Sequence, residues 1–252
     1  MNLLCLVAHP DDETMLCGGT LALLAAKGVK VHIACLTRGE GGEMGEPPLT
    51  DREQLGAVRE QELVNAVQKL GGKSLTFLGY VDPTVGPDNQ LFAPEHDPTM
   101  LAGQIVSTIK QFEIDVVLTH GSNGEYGHPA HLLMHQMTLA AVTALYKEAE
   151  PPNTPTTQPP LLYTISAAVP DHPYPRLTNK DDQADIILDV TAVLDKKESA
   201  ALCHKTQNAL FVRRRSEEAG RPLTIHEVMI PVESLHRVFG QPGDAFSKLL
   251  KG

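Results

Sequence analysis

The chain contains no tryptophan and only five tyrosines and six phenylalanines among 252 residues. So few rings offer no evident stacking platform for a sugar or a base. Basic residues are also short: 21 Lys and Arg stand against 31 Asp and Glu, a formal charge of −10. That balance excludes the positive footprint of a nucleic-acid binder, and acidity of this size reads as solubility rather than as a partner. Cysteine is scarce, with Cys5, Cys17, Cys35 and Cys203 and no C-x-x-C pair. Three of the four sit in or beside apolar runs, where cysteine acts as a small buried hydrophobe. Reduced thiols and a cytoplasmic setting are therefore expected. No segment approaches the ~20 apolar residues of a membrane span. The opening "MNLLCLVA" lacks a basic n-region and runs into charged residues, so it does not read as a signal peptide.

What is present alternates short β-rich runs with longer helical ones. "LLCLVA" reads as a buried strand, "GGTLALLAAKG" (18–28) as a helix, and "VKVHIACLT" (29–37) as a second strand. A glycine- and proline-rich loop covers Arg38 to Thr50 and is a candidate rim or lid. The next helix is expected from a Thr50 cap, with Glu53 as capping-box partner, to a glycine stop. "SLTFLG" is a third strand, and Asp97 with Pro98 opens a third helix. "IDVVLTH" (114–120) is a fourth strand, followed by a glycine-rich turn and the helix "PAHLLMHQMTLAAVTALYKEAE". Crossovers of this length predict an α/β fold, a doubly wound, Rossmann-like, mostly parallel sheet with helices on both faces. The expected organisation is one domain over 1–252. Residues 151–160 form a Pro/Thr-rich surface loop and 212–252 a C-terminal extension packed on the same domain. "LLYTISAAV", "ADIILDV" and one helix, "TAVLDKKESAALCHKTQNALF", follow the loop, and the last forty residues read as mixed helix and loop.

Ligands of open α/β sheets bind beyond the carboxyl ends of the strands. His9, Asp11, Asp12 and Glu13 follow strand one, and His120, Tyr126, His128, His131 and His135 follow strand four. His9 and Asp12 are three apart across a Pro10 turn. With one further histidine they make a three-ligand set that suits a catalytic divalent metal, zinc first. A carboxylate beside the metal could then take a proton from its water. The bland account of the acidic run is a helix start, where carboxylates complement the dipole. In the second cluster, His128/His131 and His131/His135 both have ligand spacing, and spacing does not decide between them. His135 reads rather as a packing or capping residue, and His120 equally as a satisfied core histidine.

"AHPDDE" after an N-terminal strand, together with "YGHPAH", resembles the LmbE-like (PIG-L) family of zinc-dependent de-N-acetylases. "LTRGEGG", "LGAVREQEL", "FLGYVD" and "ALCHKTQ" agree, so the resemblance runs from Met1 to about Phe211. It implies removal of the acetyl group from an N-acetylglucosamine-type conjugate. It further implies that His9, Asp12 and His131 hold one Zn2+ per chain, other divalent metals such as Fe2+ being open. Asp11 becomes the general base and His128 the protonated imidazole facing the oxyanion. Tyr126 lies beside the carbonyl, and Arg59 and Asp82 contact the polar substrate. Glu13 becomes a partner that orients a ligand. The expected partner is a small N-acyl sugar, with no nucleic acid and no membrane span, and the resemblance admits a homo-oligomer. One position departs: the family's usual H-P-D-H reads His128-Pro129-Ala130-His131, so the acid that supports the first histidine is missing unless Glu125 or Asp171 replaces it. An amidase of a thiol conjugate, or a metal- or sugar-binding module with reduced catalysis, are the alternatives. A nucleotide binder is disfavoured, because carboxylates stand where the phosphate-cradling glycines belong.

Overall fold

The computed structural model describes residues 1–149, 158–172 and 174–251; seven of the ten residues of the Pro/Thr-rich stretch lie outside these. In chain order the strands are β1 (Asn2–Val7), β2 (Lys30–Thr37), β3 (Ser74–Tyr80), β4 (Val116–Thr119), β5 (Leu161–Ile165), β6 (Ala167–Ala168), β7 (Asn179–Gln183), β8 (Ile186–Asp189) and β9 (Val232–Phe239). The helices are α1 (Asp12–Ala26), α2 (Leu55–Leu70), α3 (Pro98–Gln111), the single turn α4 (Gly124–Gly127), α5 (Pro129–Ala149), α6 (Leu194–Ala201), α7 (Lys205–Ala219), α8 (Ile225–Val228) and α9 (Ala245–Lys251).

The main sheet has the order β3-β2-β1-β4-β5-β9-β8, with β6 and β7 forming a small second sheet. β1 pairs in parallel with both β2 and β4, and β9 runs antiparallel to both β5 and β8. The near-continuous apolar run of β1 is explained by burial on both faces. Leu3, Cys5 and Val7 enter the core shared with α1 and α2, while Leu4 and Leu6 enter the opposite core with α3 and α5. Helices therefore cover both faces, and the adjacency of β1 and β4 brings their carboxyl ends side by side.

Four elements differ from the sequence expectation. α1 starts at Asp12 rather than Gly18, and it is broken at Cys17 (φ −147°). The Glu233 carboxylate takes the amides of Gly19 and Thr20 freed by the break, at 2.9 and 2.7 Å, and itself pairs with Lys197 at 2.6 Å. α2 starts at Leu55 with Gln54 at its cap position, so Thr50 caps nothing; Asp51 Oδ1 instead accepts from the Gln54 amide at 2.9 Å. The single helix expected after Thr191 is interrupted between α6 and α7, which leaves His204 at the cap position of α7. The last forty residues contain an inner strand, β9, as well as helix and loop.

Candidate active site

Beyond β1 the backbone turns through Pro10 and reaches Asp11 at φ 119°, ψ −28°, a region that side-chain-bearing residues rarely adopt. Asp12 closes this turn, its Oδ2 accepting from the His9 amide at 2.8 Å. The same oxygen lies 3.3 Å from His9 Nδ1, and the other His9 nitrogen, Nε2, lies 3.3 Å from Asp82 Oδ1. Burial would lower the His9 pKa, but Asp82 and Asp12 outweigh it and lift the ring to about 10. Burial would raise Asp12, yet His131, His120 and His9 hold it well below the ordinary carboxylate value.

Beyond β4 the organising group is Glu125, buried and held at φ 56° within α4. Its Oε2 accepts from His131 Nδ1 at 2.6 Å and from His120 Nδ1 at 3.0 Å. Its Oε1 accepts from the Gly121 amide at 3.2 Å and from Asn179 Nδ2 at 3.1 Å. With Nδ1 so bound, the remaining nitrogen of each imidazole is the informative one. His120 Nε2 accepts from the Ala8 amide at 3.0 Å, which holds that nitrogen unprotonated although the carboxylates around the ring favour its charged form. His131 Nε2 is buried, has no hydrogen-bond partner, and lies 3.3 Å from Asp12 Oδ1. His135 donates from Nδ1 to the His120 carbonyl at 3.0 Å and so packs against the strand end.

Two sets of donor atoms lie within 4.8 Å of one another, His9–His128–His131 and Asp12–His120–His131. The triad that the resemblance implies, His9, Asp12 and His131, takes members from both sets and is itself neither of them. A cation fits here: a buried imidazole nitrogen lacks a partner, and Asp11, Asp12 and Asp82 gather around His9. The nitrogen and oxygen donors are those that suit a divalent transition metal. Glu125 hydrogen-bonds His131 Nδ1 and Asp82 lies 3.3 Å from His9 Nε2, contacts of the kind that orient imidazoles at metal sites.

Asp11 lies beside this group. Burial raises its carboxyl to about 6, against the opposing charge of Arg59 and with a further upward push from Asp12. Arg59 is buried, donating from Nη1 to the Gly39 carbonyl (2.8 Å) and from Nη2 to the Pro10 carbonyl (2.6 Å) and Asp11 Oδ2 (3.1 Å). Arg59 and Asp82 both line the cavity; Arg59 Nη2 is engaged with Asp11 and Asp82 Oδ1 faces His9, while Arg59 Nε is buried without a hydrogen-bond partner. Glu13 is fully buried and accepts from the Asp11 amide at 3.0 Å. Tyr126 is 42% exposed and stands edge-on to the His131 and His128 rings.

His128 occupies the cap position of α5, its Nδ1 accepting from the Ala130 amide at 3.2 Å. That bond leaves Nε2 as the protonated nitrogen of a neutral ring. Burial, reinforced by the electrostatic influence of the neighbouring His9 ring, lowers its pKa to about 3. Neither substitute acid serves it: Glu125 is committed to His120 and His131, and Asp171 makes no side-chain hydrogen bond among the described residues. Ala130 itself is buried in the apolar core under α5.

Of these groups, His9, Asp11, Asp12, Arg59, Asp82, Tyr126 and His128 form part of the wall of a cavity of about 680 Å³. The loop after β2 supplies its rim, Gly41 to Gly45 and Pro48. The rim is tied down: Arg52 donates to the carbonyls of Glu40 and Gly42, and Arg213 of α7 pairs with Glu43 and Glu46. Sequence reasoning missed Glu125 as the hub of the histidine cluster, because no spacing rule marks an acid in a glycine-rich turn.

Residues 4–142 match the family model described as PIG-L, GlcNAc-PI de-N-acetylase. The chain is 34% identical over 238 residues to the 1D-myo-inositol 2-acetamido-2-deoxy-alpha-D-glucopyranoside deacetylase of Rhodococcus jostii, covering 82% of this chain and 81% of the relative. Among solved structures, the N,N'-diacetylchitobiose deacetylase of Pyrococcus horikoshii shares the fold with a TM-score of 0.62 at 19% identity, over 96% of this chain and 84% of its own. The 4-carboxy-2-hydroxymuconate hydratase GalB of Pseudomonas putida KT2440 does so with a TM-score of 0.63 at 22% identity, over 95% and 97%. A hydratase on the same sheet shows that fold alone does not set the reaction. The family model and the 34% identity do: the chain belongs to the PIG-L (LmbE-like) family of de-N-acetylases.

Proposed function

We propose that this chain hydrolyses the acetamido group of an N-acetylglucosamine-type conjugate with one zinc ion held by His9, Asp12 and His131. The observation that carries the reading is the buried, unpartnered Nε2 of His131 facing Asp12, with Asp11, at its strained φ, beside Asp12 on the cavity wall. When bound, such a cation polarises an amide carbonyl and makes water acidic enough to ionise near neutral pH. Asp11 accepts the proton of the attacking water and holds it for the later step. Arg59 holds Asp11 Oδ2 and prevents the carboxylate from turning away. His128 donates from Nε2 to the carbonyl oxygen as negative charge develops there, and the Tyr126 hydroxyl adds a second donor. A neutral imidazole suffices for this role, so the missing acid at Ala130 does not remove it. The proton held by Asp11 then passes to the departing amine, leaving acetate and a free amino sugar.

The two-imidazole, one-carboxylate set suits zinc and Fe2+ alike, and metal analysis of protein isolated without added metal decides between them. The cytoplasm is the proposed setting, because all four cysteines are free and no helix among the described residues is long and apolar enough to cross a membrane. The 1–252 chain acts as one unit in this reading, β9 from the extension being seated between β5 and β8. The test is release of primary amine from a panel of N-acetylglucosaminides by protein stripped with a chelator and reloaded with zinc. Activity that vanishes on stripping and returns on reloading is expected. Zinc-loaded protein inert on every N-acyl substrate contradicts the reading.

A further inference from the structure

Asp11 poses a question that the reaction alone does not answer. A residue with a side chain at φ 119° persists only where its surroundings over-determine it. Its carbonyl accepts from the amides of Thr14 and Met15, as at any helix start. Its own amide points to Glu13 Oε2 at 3.0 Å, and Arg59 holds its carboxylate. Glu13 must therefore be held as well.

The other oxygen of Glu13 is bound by a residue from the far end of the chain. His204 donates from Nε2 to Glu13 Oε1 at 2.9 Å, and the Thr14 hydroxyl donates to the same oxygen. His204 and Glu13 are both completely buried. His204 is itself fixed from outside the site. The α6–α7 break brings it to the start of α7, whose first turn is anchored twice. Glu62 of α2 accepts from the Thr206 amide and hydroxyl at 2.9 and 2.7 Å, and Gln207 donates to the Glu43 carbonyl of the cavity rim at 2.7 Å. In "HKTQ", His204, Thr206 and Gln207 thus reach α1, α2 and the rim loop respectively.

We propose that His204 is a positioning residue for the hydrolysis: through Glu13 it locks the Asp11 backbone in the conformation that presents the carboxylate to the cavity. This rests on the reading of Asp11 as the base. Without the Nε2–H donor, Glu13 Oε1 loses a buried partner and the carboxylate is free to rotate. The Asp11 amide then loses its acceptor, and the strained φ relaxes. His204 touches none of the proposed metal ligands by hydrogen bond, so the effect falls on the orientation of the base rather than on metal retention.

His204→Gln and His204→Asn separate this role from general packing. Glutamine carries an amide N–H at about the reach of Nε2, whereas asparagine is too short. The assay is steady-state kinetics on an N-acetylglucosaminide with zinc content and thermal midpoint measured on the same samples. His204→Asn is expected to lower kcat on the order of 10–100-fold, the usual range for groups that orient a reacting residue, with KM and zinc content unchanged. His204→Gln is expected to recover most of that loss. Unchanged kcat in His204→Asn, loss of zinc in parallel with kcat, or glutamine no better than asparagine each overturns the proposal. Asp11→Asn run alongside keeps the two claims apart: if it retains kcat, the reading of the base fails, whatever His204 does.

Discussion

Replacing Glu125 by glutamine perturbs the site most informatively, because the demand on that carboxylate can be counted. Four donors converge on it: His131 Nδ1 and His120 Nδ1 on Oε2, and the Gly121 amide and Asn179 Nδ2 on Oε1. Glutamine offers one acceptor oxygen, so either orientation turns an NH2 group toward two buried donors. Each such donor costs about 1–3 kcal/mol, giving about 2–6 kcal/mol for the pair. In a chain of this size that lowers the thermal midpoint on the order of 10 °C. The variant also loses the anion that fixes the His131 ring, which lowers metal affinity about 10–100-fold. Thermal melts of chelated protein followed by circular dichroism measure the first effect, and zinc titration against a competing chelator the second. A Glu125→Gln protein that melts within about 2 °C of the parent and takes up zinc equally refutes the role assigned to this carboxylate.

Three further outcomes are expected. In Gly39→Ala, the new Cβ would sit 2.1 Å from Arg59 Nη1 on a residue at φ +69°. The guanidinium must then leave Asp11, and kcat should fall at least about tenfold; Gly103→Ala, with nothing within 4 Å, is the silent control, and equal kcat in the two variants contradicts the account. In chelated protein, His9 titrates near 10 when folded against 6.5 when unfolded, so its stabilising contribution is complete below pH about 6.5 and lost as pH rises toward about 10. The thermal midpoint of the chelated form should drop across that window while the zinc-loaded form does not follow it, and a flat profile for chelated protein argues against the charge balance described. Ala130→Asp buries a carboxylate in an apolar core and offers His128 the missing partner. It should lower the thermal midpoint, while the basic limb of the pH–rate profile stays in place because His128 already acts as a neutral donor; a limb moved to higher pH counts against the neutral-imidazole role.

The parts of this molecule legible in its sequence are those written in local pattern. The run "LLCLVA" announces β1 because every residue of it is buried, and the turn at Pro10 with the His9–Asp12 spacing marks the strand end that faces the cavity. What stayed hidden depends on distant partners. The α6–α7 break carries no glycine or proline; it is imposed by the bonds His204 and Thr206 make to Glu13 and Glu62, residues 191 and 144 positions away. β9 pairs with strands that precede it by many residues, and its "VESLHRVF" mixes His and Arg into a half-buried pattern that no alternation rule reads as an inner strand. Arg59 looks from its helix like a candidate for a surface ion pair, and only its 3% exposure shows that it holds Asp11 instead. Depth and long-range pairing, not residue type, separate what could be read from what could not.

The most direct test of the central claim compares the parent with Asp11→Asn, both zinc-loaded, in amine release from an N-acetylglucosaminide, with zinc per chain counted on the same samples. The account predicts about one zinc in each and a loss of at least about 100-fold in kcat for the variant, as for removal of a general base. Equal rates, with zinc bound in both, would contradict it.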